Sequence, residues 1–447
     1  MTVRALRAML LAGVVVSWAL AVWLVLGGPP GFIDLMVYRA GGYAWVSGVP
    51  LYGPEFPALI RLLPLPFTYP PISAVLFAPL AAVPFPVAAV LLAAASLACL
   101  VLVGWLTARR LELDRWRGTQ LASAAVVLVT VTEPVRETLT FGQVNLLLMG
   151  LVVADCLLPR TPWPRGTLIG LAAAIKLTPA IFVVFFLAHR QWRPVLVAGA
   201  AFVVATAAGF LAASGASFTY WFGGVLTDPA RIGSPAFPSN QSLAGLLHRA
   251  APSLPAPWQT AIWLLAALAA LVAGWVAARR LRGRGHDVAA LLAVAAAGLL
   301  ASPVSWSHHY VWVVPALVWF AYQARRSPRW WPALVVLAGV FIVGPHWLVA
   351  TREDHLPDWG LGEHLVGNTY VWAALLALLV AVLGRLAPHS TGPDQARDRP
   401  TRQSASVGTP SSPATRTTCA PSTPIYPGSG DMTARCPYIR SRDEADT

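Results

Sequence analysis

The sequence has few acidic residues and almost no lysine. Aspartate and glutamate account for 19 of its 447 residues, and Lys176 is its one lysine. Charged residues make up 11% of the chain, whereas hydrophobic residues make up 57%. A soluble protein of this length needs more polar surface than these residues supply. The composition therefore excludes an ordinary soluble globular protein.

Long apolar runs take the place of the missing charge. Runs of about 17–25 residues match the hydrocarbon thickness of a bilayer, and they lack the alternation of a transmembrane β-barrel. The sequence therefore predicts an all-α polytopic membrane protein with about ten to twelve helices. The expected spans are residues 7–27, 86–108, 118–131, 142–158, 194–213, 258–278, 287–302, 310–323, 331–349 and 367–384. We expect the first span to be a retained signal-anchor helix, because no small-residue cleavage site follows it.

The net charge of +13 comes from arginines, which lie in short clusters between the apolar runs. Such clusters are typical of cytoplasmic loops, where they set topology and contact anionic headgroups. A nucleic-acid-binding protein would carry a basic soluble face, which this pattern does not provide. The four cysteines show neither a CxxC pair nor metal-ligand spacing, so we expect neither a disulfide nor a metal site.

The chain divides into two parts by composition. Residues 1–385 carry the apolar runs and form the predicted membrane domain. Residues 386–447 are rich in Pro, Ser, Thr and Arg, a composition that cannot bury a core, and we expect a disordered cytoplasmic tail there.

Residues 166–188 break the topology that the arginines define. They lie between two clusters that should both be cytoplasmic, yet these 23 residues extend only about 35 Å as a helix, too short for two crossings. We favour a re-entrant hairpin of half-helices that meet at residues 176–179, and one full crossing is the alternative. In the hairpin, Lys176 would point into a cavity, because non-helical backbone at membrane depth needs one.

If residues 166–188 form this hairpin, five loops lie on the extracytoplasmic side of the membrane. They are residues 28–85, 132–141, 214–257, 303–309 and 350–366. Within the first loop, residues 70–85 are too short and too rich in proline to span, so we expect them in the outer interface. The candidate functional residues all fall at this outer face.

Asp34 is the principal candidate in a chain so poor in acids. It follows the first apolar run and precedes Tyr38 and Arg39. A carboxylate at the membrane boundary can act as a base toward a hydroxyl group. It can equally be a polar group at a helix end. Glu133 and Asp228 are the next candidates for the base.

Four cationic or imidazole side chains are candidates to bind a phosphate. Lys176 needs an anion if it lies within the membrane, which a lipid phosphate or a buried acid would supply. Arg249 lies in the 214–257 loop, and His308 and His309 are adjacent in SPVSWSHHY. The histidine pair lacks acids at ligand spacing, which leaves hydrogen bonds to a phosphate or sugar, or packing at the interface.

Further polar and aromatic residues are candidates to contact substrate. They are Tyr38, Arg39, Tyr69, Gln143, Asn145, Asn240, Gln241 and Trp306. For Tyr69 the alternative is a place in an aromatic belt, and for Gln143 and Asn145 it is hydrogen bonding between helices. Together with an acid and cations, such residues suit transfer of a sugar from a lipid-linked phosphate.

The motifs DLMVYRAGGYAWVSGVPLY, FTYPP, GQVNLLL, AIKLTP, NQSLAGLLHR and SPVSWSHHY occur in this order. These motifs and their order resemble those of glycosyltransferase family 87, and the resemblance covers roughly residues 10–385. The resemblance implies the GT-C architecture and an α-(1→2)-mannosyltransferase that uses polyprenyl-phosphate mannose and inverts the anomeric centre. It implies a plasma-membrane enzyme with its active site on the extracytoplasmic side, an essential acid at Asp34, a glycolipid or lipoglycan acceptor, and no metal or cofactor.

Three other interpretations compete with this one. A transporter of lipid-linked sugars would carry charges near the mid-membrane and repeat symmetry, and the sequence shows little of either. A non-catalytic scaffold would not need polar clusters at one face. A transferase of the same architecture that moves arabinose or glucose stays open, because a few hydrogen bonds in the pocket decide the sugar.

Overall fold

A computed structural model describes residues 31–60, 64–111, 130–349 and 359–384, and these residues form no β-strand. Their α-helices, in chain order, are α1 (Ile33–Ser47), α2 (Pro71–Ala82), α3 (Phe85–Arg110), α4 (Glu133–Phe141), α5 (Asn145–Leu157), α6 (Thr167–Ile175), α7 (Val183–Leu187), α8 (Trp192–Ala212), α9 (Ser214–Phe222), α10 (Leu243–Ala250), α11 (Ala256–Gly283), α12 (Asp287–Ala301), α13 (Val313–Arg326), α14 (Trp331–Val343), α15 (Leu361–Gly367) and α16 (Thr369–Leu383). Short 3₁₀-helices join several of them, among them Thr178–Phe182, Pro229–Ile232 and Ser307–Trp312.

Among the described residues, three helices are long and apolar enough to cross a membrane, namely α3, α8 and α11. Two bent pairs reach span length together: α4 with α5, bent by 118°, and α15 with α16, bent by 71°. These elements confirm an all-helical polytopic membrane protein. Residues 7–27, most of 118–131, and the tail from 386 lie outside the described residues, so the total of ten to twelve helices stays a prediction.

The remaining predicted spans form shorter helices. α12 has 15 residues and α13 has 14, lengths of about 22 Å at the α-helical rise. Between them the chain runs through Ser302-Pro303 and a 3₁₀-helix at Ser307–Trp312. The α-helical conformation is therefore interrupted between Ala301 and Val313, in the segment that carries His308 and His309.

Residues 166–188 form the predicted hairpin. α6 runs beside the first half of α8, since a Cβ added to Gly166 would lie 2.0 Å from the carbonyl oxygen of Pro194 and one on Gly170 would lie 2.3 Å from that of Ala198. The chain then returns through Thr178–Phe182 and α7 to the start of α8. Both ends of the segment lie at the same end of α8, which confirms the hairpin and contradicts a single crossing.

Several arginine clusters meet at this end of the bundle. Arg110 and Arg282 both pair with Asp287, with 3.1 Å between Arg282 Nε and Asp287 Oδ1. Arg282 also donates to the Phe185 carbonyl at 2.7 Å and to the Gln191 side chain at 3.1 Å. The clusters around residues 110, 190 and 282 therefore share one end, as the topology argument predicts.

Candidate active site

The beginning of α1 is fixed against the turn between α4 and α5. The Phe32 N–H donates to the Thr140 carbonyl at 2.5 Å, and Phe32 adopts a left-handed conformation with φ 54°, which is unusual for a bulky residue. Gly142 ends α4 with φ +64°, and a Cβ there would lie 2.9 Å from the Leu35 Cβ. Only glycine fits both this conformation and this approach. The contact places Asp34 beside Gln143.

Asp34 occupies the first turn of α1, where its side chain is half-buried. Its carboxylate forms a hydrogen bond with the Gln143 side chain and lies within electrostatic range of Lys176. Burial raises the pKa of Asp34 to about 6, although Lys176 and the bond from Gln143 oppose the shift. The environment thus combines the position at a helix N-terminus, which favours a carboxylate, with the raised pKa of a base suited to near-neutral pH.

Tyr38, Tyr69 and Gln143 form a hydrogen-bonded triangle next to Asp34. The two hydroxyl groups lie 2.9 Å apart, and both donate to Gln143 Oε1, from Tyr69 at 3.0 Å. Burial raises the pKa of both tyrosines, so their hydroxyl groups stay protonated. Because Gln143 Oε1 accepts these bonds, its amide group is left to donate to Asp34. The triangle orients the amide toward the acid.

Lys176 lies at the break between α6 and Thr178–Phe182. Its ammonium donates to Asn145 Oδ1 at 3.1 Å and contacts His309 Nε2 at 3.2 Å, and it lies 5.5 Å from the centre of the Tyr69 ring. The interaction with Asp34 shows that the hairpin lysine and the acid of α1 share one site. The structure therefore brings together Asp34, Lys176, Tyr69, Asn145 and His309.

The two histidines are neutral hydrogen-bonding groups. Burial lowers the pKa of His308 to about 3, and burial also lowers the pKa of His309, with Lys176 adding to both shifts. The His308 carbonyl accepts from Thr138 at 3.1 Å and from Asn145 at 3.0 Å. Its buried Nδ1 has no hydrogen-bond partner among the described residues. The pair can contribute hydrogen bonds to a substrate but no positive charge.

A cavity of about 360 Å³ lies behind the lysine. Its walls come mainly from apolar side chains of the hairpin return, α5 and α12, among them Leu148, Ile181 and Leu299. Asn145 and His309, the two partners of Lys176, line it as well. The residues that follow Lys176 line this cavity, whereas Lys176 itself contacts it only through Asn145 and His309, so the predicted orientation of the lysine into a cavity stays a prediction.

The structure does not place Arg249 at this site. The side chain is 1% exposed, and it donates to the carbonyl groups of Phe237 at 3.0 Å and Asn240 at 2.9 Å and to Asn368 Oδ1 at 2.5 Å. With its donors used by the protein, Arg249 holds the 236–240 loop to the start of α16. These bonds support a structural role for Arg249, and its role in phosphate binding stays a prediction.

Other predicted substrate contacts are also used inside the protein. Arg39 donates to the Leu80 carbonyl and, at 2.7 Å, to the Val83 carbonyl, which closes the end of α2. Asn240 accepts from the Ser305 N–H at 3.0 Å, and Gln241 donates to the Gly367 carbonyl at 2.6 Å. Both are fully buried. They support the segment that carries His308 and His309, and their contact with substrate stays a prediction.

Trp306 and Tyr38 complete the predicted set. Trp306 is half-buried and pairs with Asn240 in an isolated antiparallel bridge, with its ring near Gly233. Tyr38 is fully buried, and its hydroxyl is shared with Tyr69 and Gln143. Tyr38 thus contributes to the site through Gln143, whereas Trp306 contacts Phe237 and Asn240.

Glu133, which the sequence offers as a further candidate for the base, has partners that sequence reasoning did not predict. This buried carboxylate accepts from Ser307 at 2.5 Å and from Trp347 and Tyr370 at 3.0 Å each, with His346 Nε2 3.5 Å away. Ser307 immediately precedes His308, so Glu133 anchors the histidine segment. Glu133 is noticeable in the sequence because acidic residues are scarce. Its partners could not be predicted, because they lie far from it in the sequence.

Within the described part of the chain, no group of three or more His, Cys, Asp or Glu side chains is arranged to hold a metal ion. Cys99 and Cys156 are free thiols. Cys419 and Cys436 lie outside the described residues.

Comparison with known proteins identifies the class of enzyme. The chain is a membrane glycosyltransferase, and it belongs to glycosyltransferase family 87, whose model matches residues 67–303. That region contains Lys176 and ends before His308. No solved structure matches the chain significantly.

Curated relatives extend the match over most of the chain. A protein of Mycolicibacterium smegmatis is 38% identical over 85% of this chain and 90% of its own length. One of Mycobacterium tuberculosis is 38% identical over 85% of this chain and 91% of its own length. Both are named polyprenol-phosphate-mannose-dependent alpha-(1-2)-phosphatidylinositol mannoside mannosyltransferases. A second M. tuberculosis relative, 33% identical over 89% of this chain and 90% of its own length, is named as the corresponding phosphatidylinositol pentamannoside enzyme.

Proposed function

We propose that this protein transfers a mannosyl group from polyprenyl-phosphate mannose to a hydroxyl group of a mannosylated glycolipid or lipoglycan. The product is an α-(1→2) mannoside, formed with inversion of a β-linked donor. The names of the relatives supply the donor and acceptor classes. The observation that carries the proposal is the juxtaposition of Asp34 with Lys176, whose partners Asn145 and His309 line an apolar cavity.

In the proposed step, Asp34 is the base. Its carboxylate removes the proton from the acceptor hydroxyl as that oxygen attacks C1 of the mannose from the face opposite the phosphate. The C1–O bond to the phosphate breaks, and the electron pair leaves with the polyprenyl phosphate. A base with a pKa of about 6 is largely ionised at neutral pH and can still accept a proton in the transition state.

Lys176 stabilises the leaving phosphate. An ammonium has three N–H donors, and two of these point to Asn145 and His309. The third is free to donate to a phosphate oxygen on which negative charge develops during the transfer. Charge stabilisation by a preorganised donor in a dry site is effective because water does not screen it. The step as proposed uses no metal or cofactor.

The apolar cavity accommodates part of the polyprenyl chain. Its walls, which include Leu148, Ile181 and Leu299, match an isoprenoid in polarity. The phosphate would then lie at the end formed by Asn145 and His309, next to Lys176. This arrangement favours a lipid-linked donor over a nucleotide sugar, which would need a polar pocket.

The site is proposed to face the outside of the plasma membrane. Both ends of the hairpin lie at the beginning of α8, where Arg282 contacts Phe185 and Gln191, and Lys176 lies at the turn of the hairpin. Arginine-rich ends are cytoplasmic in multi-pass proteins, so the acceptor would be an extracytoplasmic lipid headgroup.

The test is transfer by the full-length protein in proteoliposomes. Radiolabelled polyprenyl-phosphate mannose is supplied with phosphatidylinositol mannoside, and the linkage of the product is determined by α-1,2-mannosidase digestion. We expect a product that α-1,2-mannosidase cleaves. Transfer from polyprenyl-phosphate arabinose or glucose in place of mannose would contradict the choice of sugar, and no transfer from any of the three donors would contradict the proposed reaction.

A further inference from the structure

A second cation, Arg231, lies beside the site without the partners that its buried atoms require. It belongs to the 3₁₀-helix Pro229–Ile232 and is half-buried. Its Nε is buried and has no hydrogen-bond partner among the described residues. Its one hydrogen bond there is a long contact of 3.4 Å from Nη2 to the Phe67 carbonyl. Arg249, by contrast, has close partners on Nε, Nη1 and Nη2.

Arg231 is linked to the donor site by one aromatic wall. Its guanidinium lies 5.9 Å from the centre of the Tyr52 ring. The Tyr52 hydroxyl donates to the Tyr69 carbonyl at 2.7 Å, and the Lys176 ammonium lies over the Tyr69 ring. Arg231 and Lys176 are therefore separated by the pair Tyr52–Tyr69. Two cations so arranged can hold two different anionic groups around one reaction centre.

The part of the chain that carries Arg231 also exposes apolar side chains. Phe222 is 76% exposed, Leu226 is 40% exposed and Ile232, next to Arg231, is 38% exposed. Apolar side chains beside a cation suit the boundary between acyl chains and phosphate. A guanidinium with free N–H groups is well matched to a phosphodiester, which it binds through directed, charge-assisted hydrogen bonds.

We infer that Arg231 binds the phosphodiester of an anionic lipid acceptor. This rests on the proposed function, in which Lys176 already serves the donor phosphate. Arg231 would hold the acceptor lipid by its phosphate while its mannose extends past Tyr52 and Tyr69 toward Asp34. The enzyme would thereby distinguish a phosphatidylinositol-based acceptor from a neutral mannoside.

The experiment compares two acceptors that differ in this phosphate. Full-length protein is reconstituted in phosphatidylcholine vesicles with polyprenyl-phosphate mannose as donor, and the KM is measured for phosphatidylinositol mannoside and for octyl α-mannoside. Arg231→Gln removes the charge, and Arg231→Lys restores it. Arg329→Gln is the matched control, because Arg329 lies beyond the end of α13 that is remote from His308 and His309.

For Arg231→Gln we expect the KM for phosphatidylinositol mannoside to rise by about tenfold or more, the effect of losing a charge-assisted hydrogen bond. The KM for octyl α-mannoside and the KM for the donor should stay at the wild-type values. Arg231→Lys should recover part of the affinity, and Arg329→Gln should behave as wild type.

Other outcomes overturn the inference. An equal loss on both acceptors would assign Arg231 a structural role, and a raised donor KM would assign it to the donor phosphate. No change on either acceptor would show that it binds neither. If the wild-type protein transfers mannose to neither acceptor, the proposed function fails. If the wild type transfers mannose and Arg231→Gln leaves both acceptor KM values unchanged, only the role of Arg231 fails.

Discussion

The Nζ atom of Lys176 lies 3.2 Å from Nε2 of His309. An ammonium can only donate hydrogen bonds, so Nε2 of His309 is the acceptor and Nδ1 carries the proton of the neutral ring. Asn145 Oδ1 accepts a second N–H at 3.1 Å. These two acceptors fix the direction of the third N–H group, which is the one available to a substrate phosphate.

Replacing Lys176 by methionine should weaken donor binding. The substitution keeps much of the side-chain volume and removes the charge that is proposed to contact the phosphate. Loss of a hydrogen bond to a charged group is worth about 1.5–3 kcal/mol, which corresponds to a rise of about tenfold to a hundredfold in the donor KM. Kinetics with varied polyprenyl-phosphate mannose would measure it.

Arg326→Met is a suitable control for Lys176→Met. Arg326 ends α13 and donates to the hydroxyl of Tyr322 at 2.7 Å, away from the site. We expect its donor KM to equal that of the wild type. A donor KM that is unchanged in Lys176→Met would contradict the assignment of the lysine.

The fall in turnover on the acid side of the pH profile, its acid limb, should reflect protonation of Asp34. Burial raises the pKa of this carboxyl group to about 6, and a base is active only when ionised. Turnover should therefore be level above about pH 7 and fall about tenfold per pH unit below pH 6. Because the charge of Lys176 lowers the Asp34 pKa, Lys176→Met should move the limb to higher pH. A limb near pH 4, or one that moves to lower pH in the variant, would disagree with this account.

Arg249→Met should destabilise the protein without changing donor affinity. The variant leaves the carbonyl groups of Phe237 and Asn240 and the Asn368 side chain without their donor. Buried polar groups without partners cost about 1–3 kcal/mol each, so the thermal unfolding temperature should fall by several degrees. Arg329→Met serves as the exposed control. A raised donor KM at an unchanged unfolding temperature would restore Arg249 to the phosphate site.

Glu133→Gln should lower both the stability and the turnover number. Glutamine keeps the shape of the side chain but turns one acceptor into a donor facing Ser307, Trp347 or Tyr370, a loss of about 1–3 kcal/mol. Since Ser307 precedes His308, the histidine segment should shift and the turnover number should fall more than the KM changes. Glu137→Gln, which breaks only a half-exposed contact of 4.0 Å with Arg136, should differ little from wild type. Equal thermal stability of the Glu133→Gln and Glu137→Gln variants would show that Glu133 does not anchor the histidine segment.

The sequence contained enough to predict the helical membrane fold and the centre of the site. Apolar runs marked α3, α8 and α11, and the spacing of arginine clusters favoured the hairpin that carries Lys176 over a single crossing. Scarcity also helped, because an acid or a lone lysine in so apolar a chain needs a partner. Asp34 and Lys176 were singled out separately, and the structure places them together.

Pairings across the fold could not be predicted in the same way. Four polar residues fall in the predicted outer loops, and their types fit substrate contacts as well as internal hydrogen bonds: Arg39, Arg249, Asn240 and Gln241. Only the fold shows which carbonyl groups lie within reach, as for Arg249 and the 236–240 loop. Arg231 was missed for the opposite reason, because nothing in its local sequence distinguishes an unpartnered arginine from the others.

The most direct test of the account is mannosyl transfer by Asp34→Asn in proteoliposomes, with thermal unfolding and donor binding measured on the same preparation. Asparagine keeps the size of the side chain and its contact with Gln143 but cannot accept a proton. We expect unchanged donor binding, a wild-type unfolding temperature and a turnover number lower by about a hundredfold or more. Turnover close to wild type in this variant would show that Asp34 is not the base and would contradict the central claim.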